Sequence, residues 1–152
     1  MANIYDVAKY ILSKLDKITA MKLEKLCYYC QAWTLVWDET PLFNEKIEAW
    51  GKGPVSPDLY RWHSGQFLVS INETLENLCS CDLTPKQKQN IDSLILGYGD
   101  LTAQELSELT HKEAPWKEAN AQCPISGMCD AEITHAMMHE YYSNLPEEYE
   151  IN

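Results

Sequence analysis

The residues with the most obvious chemistry are Cys27 and Cys30, three positions apart in the stretch KLEKLCYYCQAW, Lys22 to Trp33. A Cys-x-x-Cys pair can serve as a dithiol redox centre, as half of a zinc site, or as two small side chains inside a helix. Redox pairs usually sit where a strand meets a helix N-terminus, because the first amides and the helix dipole lower the thiol pKa. Cys27 and Cys30 instead fall two turns into a helical pattern, on its apolar side, with Glu24 one turn before. Zinc needs two further ligands, and Cys79 with Cys81, or Cys123 with Cys129, are the cysteines available to supply them. Neither spacing matches a common finger or ribbon. The pair reads as core packing, and no metal or redox site is assigned to it.

The histidines lead to a similar result. His135 and His139 are one helical turn apart, and Glu132 stands three residues before His135, so all three can share a face. The run HAMMH lacks the internal glutamate of a metalloprotease helix, and Glu-x-x-His, half of a di-iron bundle site, has no second copy. His111 with Glu113 would pair a base with an orienting carboxylate, but no nucleophile accompanies them at a diagnostic spacing. No G-x-S-x-G, Walker or G-x-G-x-x-G motif occurs. No catalytic residue and no cofactor is assigned, and an enzyme is not supported.

The elements that must position these residues are mostly helical. Asn3 caps a first helix carrying Ile4, Val7, Ala8, Ile11, Leu12 and Leu15 at helical spacing. Thr19 caps a second helix to about Trp37, apolar on nearly every side, with narrow polar sectors near Glu24/Gln31 and Lys25. Such a helix is wrapped by others. Pro and Gly residues break the pattern from Pro41 to Pro57, where runs around Leu42–Phe43 and Ile47–Trp50 are expected to pair as a small hairpin. Ser56-Pro57 starts a short helix through Tyr60 and Trp62. Residues 64–82 read as an irregular loop. Thr84 and Gln87 open the next helix, and Thr102 with Glu105 form a capping box flanked by Leu101 and Leu106 as a staple. Pro115 opens a helical turn carrying Trp116, and Asp130 is expected to cap a final helix from Ala131 to about Ser143. The expectation is one mainly helical domain over residues 1–145, built around a buried central helix with one small β-hairpin, and an acidic tail over 146–152.

The balance of charge excludes some functions. With 12 Lys and Arg against 23 Asp and Glu, the net charge is -11. A fold this acidic repels phosphate backbones and suits a basic protein partner. The N-terminal residues lack the basic and apolar regions of a signal peptide, and no window approaches the roughly 18 apolar residues of a membrane span. The expected location is therefore the cytoplasm, where the six cysteines remain thiols.

Read together, four separated segments resemble the Panacea domain, the SocA/GepA-like domain of bacterial and phage antitoxins. They are YDVAKYILSK, MKLEKLCYYCQAW, PLFNEKIEAWGKGPVSPDLY and LTAQELSELTHKEAPWKEA. They are similar to the family's K-L-Q-K-L-x-Y-Y-x-Q-x-W helix, its P-L-F, A-W, G-P-V and following Y pattern, and its L-T-H-x-E-x-P-W segment. The likeness spans most of residues 4–142 in the right order. Glu24 stands where the family tends to have Gln, and Cys27 and Cys30 stand where it tends to have an apolar and a small residue.

The resemblance implies a protein that neutralises a toxin by binding it directly, the toxin being encoded beside it. SocA-type members look like adaptors that also hand their partner to a protease. The second reading is accordingly an adaptor for a host protein. The chain begins at the Panacea helix, so autorepression through a fused helix-turn-helix module is not expected. Because the family's toxins vary, the contact surface should lie where this sequence departs from the shared pattern. Leu26, Tyr29, Trp33, Trp50, Pro54, Leu106 and Trp116 read as fold residues. Lys52, Tyr60, Trp62, His63 and Phe67, which adjoin the irregular segment, are the expected partner-binding residues. Exposed aromatics there would also support a homodimer when the partner is absent.

Overall fold

Asn3 and Asp6 cap the first helix reciprocally, each side chain accepting from the other's backbone N–H at 2.9 and 2.8 Å. That helix, α1 (Ile4–Leu15), buries the apolar stripe its sequence carries. In the computed structural model, which describes residues 1–124 and 128–145, the chain then runs through β1 (Ile18–Thr19) into α2 (Ala20–Asp38). The Thr19 hydroxyl accepts from Lys22 N–H at 3.2 Å to start α2. α2 is the central helix: Leu23, Leu26, Tyr28, Tyr29 and Trp33 are all 0 or 1% exposed, and so are Lys25 and Gln31.

Two antiparallel strands follow, β2 (Ile47–Trp50) and β3 (Gly53–Val55), and then α3 (Pro57–His63) with Ser56 as its cap. β2 pairs with β3 in the register Glu48↔Val55 and Trp50↔Gly53. The hairpin is therefore Ile47–Trp50 with 53–55, rather than with the expected Leu42–Phe43. Gln31 supplies the reason. Its side-chain oxygen accepts from the N–H groups of Leu42 and Phe43, at 2.7 and 3.3 Å, and its amide nitrogen donates to the Phe43 carbonyl at 2.7 Å. A buried side chain thus satisfies the backbone that a strand partner would otherwise serve.

The expected loop over residues 64–82 holds two elements, β4 (Leu68–Val69) and α4 (Glu73–Leu78). β4 pairs with β1 through Ile18↔Val69 and Thr19↔Leu68. Asn72 caps α4, accepting from Leu75 N–H at 2.8 Å. Ser80 beyond it donates from both N–H and hydroxyl to the Asp6 carboxylate. Only Leu75 anchors α4 fully in the core, so no apolar period announces the helix.

α5 (Pro85–Tyr98), α6 (Ala103–His111) and α7 (Ala114–Asn120) complete the shell, the first two behind the capping boxes at Thr84 and Thr102. The last segment departs from expectation. Glu132–Ile133 is a strand, β5, paired to the free edge of β2 through Ile47↔Ile133, and α8 (His135–Ser143) begins one residue later behind Thr134. An edge strand left open invites pairing, and Ile133, 1% exposed, packs inward there. Thr134, not Asp130, is the cap of α8. Cys123 and Cys129, expected as thiols, are joined as a disulfide with Cα atoms 5.3 Å apart. That expectation rested on a reducing compartment, whereas the structure sets the two sulfurs within bonding distance. The tail expected at 146–152 lies outside the described residues. Among the described residues the architecture is mainly α, with two small antiparallel sheets beside a wrapped helix.

Candidate protein-binding groove

Glu24 organises one side of α2. It is 2% exposed and uses both oxygens on α3: Oε1 accepts from Ser56 N–H at 2.9 Å, and Oε2 lies 2.7 Å from His63 Nε2. Ser56 is the cap of α3 and His63 its last residue, so one carboxyl group ties down both ends of the helix. Burial pushes the Glu24 carboxyl above its ordinary range, against the pull of His63, Ser56 and Lys25.

The hairpin is held from the other side. Ser107 on α6 donates its hydroxyl to the Lys52 carbonyl at the turn, and Trp116 on α7 donates to the Trp50 carbonyl at 2.7 Å. The Trp50 ring meets Tyr60 of α3 edge-on at 4.9 Å. Below α3, Ala20 N–H donates to the Phe67 carbonyl at 2.9 Å, extending the β1–β4 pairing and fixing Phe67 beside the start of α2. The Phe67 ring is 79% exposed.

Between these walls lies an open groove of about 1000 Å³, with a mostly apolar lining. Lys52, Tyr60, His63 and Phe67 all line it, together with Met21 and Lys25 from α2 and residues 102–104 of α6's start. A second hollow, of about 730 Å³, adjoins it and shares Met21, Lys52 and Tyr60. Four of the five residues expected to contact a partner therefore line one groove, three of them at its surface and His63, 2% exposed, within its wall. Trp62 is not among them: at 9% exposure it turns toward α4, its indole N–H 3.4 Å from Asn72 Oδ1.

Lys25 is the residue that sequence reasoning missed. Its side chain is 1% exposed and its ammonium has no hydrogen-bond partner among the described residues. Gly53, at φ +122°, makes room for it, since a Cβ there would come within 2.6 Å of Lys25 Cε. Burial lowers the Lys25 pKa to about 8, with Lys52 pushing the same way and Glu24 opposing. A lysine on a helix apolar all round was the available signal, because a polar sector on a wrapped helix has no solvent to face.

The other chemistry-bearing residues take structural places. Cys27 and Cys30 are each 1% exposed, and burial raises both thiol pKa values, the opposite of what a reactive pair needs. Glu113 accepts from the hydroxyls of Tyr29 and Tyr142 at 2.6 and 2.7 Å, while the His111 ring stacks on Trp116 at 4.0 Å; the two do not act on each other. Glu132 lies on β5, off the helix that carries His135 and His139. His139 Nε2 sits 2.7 Å from Glu39 Oε2 instead.

A small, mainly helical domain with a wide groove and a tied-down helix along its edge is the class that fold and groove define. Residues 23–117 match the family model described as Antitoxin SocA-like, Panacea domain, and the chain belongs to that family. Antitoxin SocA of Caulobacter vibrioides (strain NA1000 / CB15N) is 30% identical over 124 residues, covering 72% of this chain and 66% of that protein. The chain thus spans just under two-thirds of that relative's length. No solved structure matches it.

Proposed function

We propose that this protein is an antitoxin that neutralises a cognate toxin, encoded beside it, by direct protein–protein binding through the groove between α2, α3 and α6. The observation that carries this reading is the placement of Lys52, Tyr60, His63 and Phe67 around one apolar groove on a member of an antitoxin family. Neutralisation needs affinity and occlusion rather than catalysis. A standard interface covers about 800 Å² per partner, with aromatic residues as frequent anchors, and Phe67 and Tyr60 suit that role. The net charge of -11 favours a basic partner and disfavours nucleic acid. Residues 1–145 act as one binding unit in the cytoplasm, where the Cys123–Cys129 bond would be open to reduction. No helix among the described residues is long and apolar enough to cross a membrane.

Co-expression with the adjacent open reading frame tests this. The neighbour should stop growth alone, be harmless beside this chain, and co-purify with it. Phe67→Ser, at a site 79% exposed, should keep the fold and weaken co-purification. A neighbour that is harmless alone, or that does not bind, removes the reading and leaves the adaptor for a host protein in its place.

A further inference from the structure

Lys25 lies in the wall of the groove, and its ammonium has no hydrogen-bond partner among the described residues. A buried cation left unpaired costs free energy, and folds ordinarily give such a group an anion. The adjacent Glu24 carboxyl makes no hydrogen bond to it, and directs its oxygens to Ser56 and His63 instead. The other groups electrostatically coupled to Lys25 are basic, Lys52 and His111. No described residue supplies that anion, which leaves the place open to one brought by a partner.

The surroundings narrow its class. The exposed lining is mostly apolar, with Met21 and Phe67 beside Lys25 and Lys52. A bare inorganic anion would leave that apolar surface wet. A carboxylate on a hydrocarbon stem satisfies the ammonium and covers the apolar wall together. The groove, about 1000 Å³ and open, is as large as the roomiest ligand pockets, so a run of several residues fits where a single side chain would not fill it. Lys25 sits below the surface, which a side chain reaching down from a passing chain can meet.

We propose that the groove takes an extended segment of the partner protein whose Asp or Glu side chain pairs with Lys25, while a neighbouring apolar residue packs on Phe67. This rests on the groove being the partner-binding surface. The overall acidity draws a basic partner to the molecule, and Lys25 then fixes where on that partner one acidic residue must stand. Recognition by register follows: a segment without the acid leaves the ammonium unpaired in a closed interface.

Displayed internal heptapeptides, joined to linkers at both ends, would be selected on the whole chain and on Lys25→Met. The methionine keeps much of the stem and removes the charge. Selection on the native chain should enrich sequences with Asp or Glu next to an apolar residue. The best synthetic peptide, capped at both ends, should bind Lys25→Met at least about 30-fold more weakly. Its own Glu→Gln or Asp→Asn counterpart should lose as much on the native chain, a comparison that needs no variant to fold. Enrichment without acidic residues, the same acidic preference on Lys25→Met, or no enrichment on the native chain overturns the proposal. Co-expression separates this from the antitoxin reading. If the native chain and Lys25→Met rescue the neighbour equally, the carboxylate site falls and the antitoxin reading stands. If the native chain fails to rescue, the antitoxin reading falls, and so does the claim that this segment belongs to its toxin.

Discussion

At Lys25 and Glu24 the fold holds two neighbouring ionisable side chains out of water, and their titrations act on stability with opposite signs. The Lys25 pKa drops from 10.5 to about 8. A depressed folded value means that its contribution is complete above the ordinary value and is lost as pH falls through the folded one. Between about pH 8 and 10.5 the native chain should therefore gain stability relative to Lys25→Met, by up to roughly 3 kcal/mol. Denaturant unfolding of both chains across that range checks it; parallel curves would sink the assignment. At neutral pH, Lys25→Met should be the more stable of the two. Glu24 works the other way. Its raised carboxyl contributes most below the ordinary 4.5 and loses that contribution as pH climbs through its folded value. A glutamine keeps an acceptor for Ser56 and a donor for His63 without burying a charge. The stability advantage of Glu24→Gln over the native chain should accordingly widen from pH 4.5 upward. A difference that stays constant with pH would show that Glu24 does not titrate in the native state.

Element by element, what was legible in the sequence is what local chemistry specifies. Asn3, Thr19, Ser56, Thr84 and Thr102 each cap the helix they were read to cap, because a cap is a bond between neighbours in the chain. β5 and α4 were not legible. Glu132–Ile133 is a strand only because β2 offers an edge, and Glu73–Leu78 has a cap but a single core anchor. The same distinction holds at the groove. Tyr60, His63 and Phe67, singled out because they adjoin the irregular segment, line the groove, whereas Lys25 was hidden because its seat depends on Gly53, far along the chain. Trp62 shows the converse, an aromatic in the right stretch that the turn of α3 directs to the core. Packing among elements is also where Glu113 counts. It accepts hydroxyls from α2 and α8 at the head of α7, and Tyr28 joins the same group through Tyr142 at 3.0 Å. Glu113→Ala leaves two buried hydroxyls without their acceptor and should cost about 3 kcal/mol. A loss under about 1 kcal/mol in urea unfolding would mean that the tyrosines find other acceptors.

For the molecule as a whole, charge and groove divide the work of recognition. A net charge of -11 acts at long range and is screened by salt, while contacts at Phe67 and Tyr60 are short-ranged and are not. Association with a basic toxin should slow by tenfold or more between about 20 and 300 mM salt, and dissociation should change little. Stopped-flow mixing at several ionic strengths measures both rates, and a salt effect confined to dissociation would contradict steering. One further consequence comes from the way Glu24 grips α3. A helix pinned at its first and last turns to the middle of the core has no loose end from which to peel. Its amide hydrogens, and that of Ser56 above all, should exchange with heavy water only when the entire molecule opens. The groove wall would then be as durable as the protein itself, presented to a partner already in its final shape, so that no free energy of ordering is subtracted from the grip.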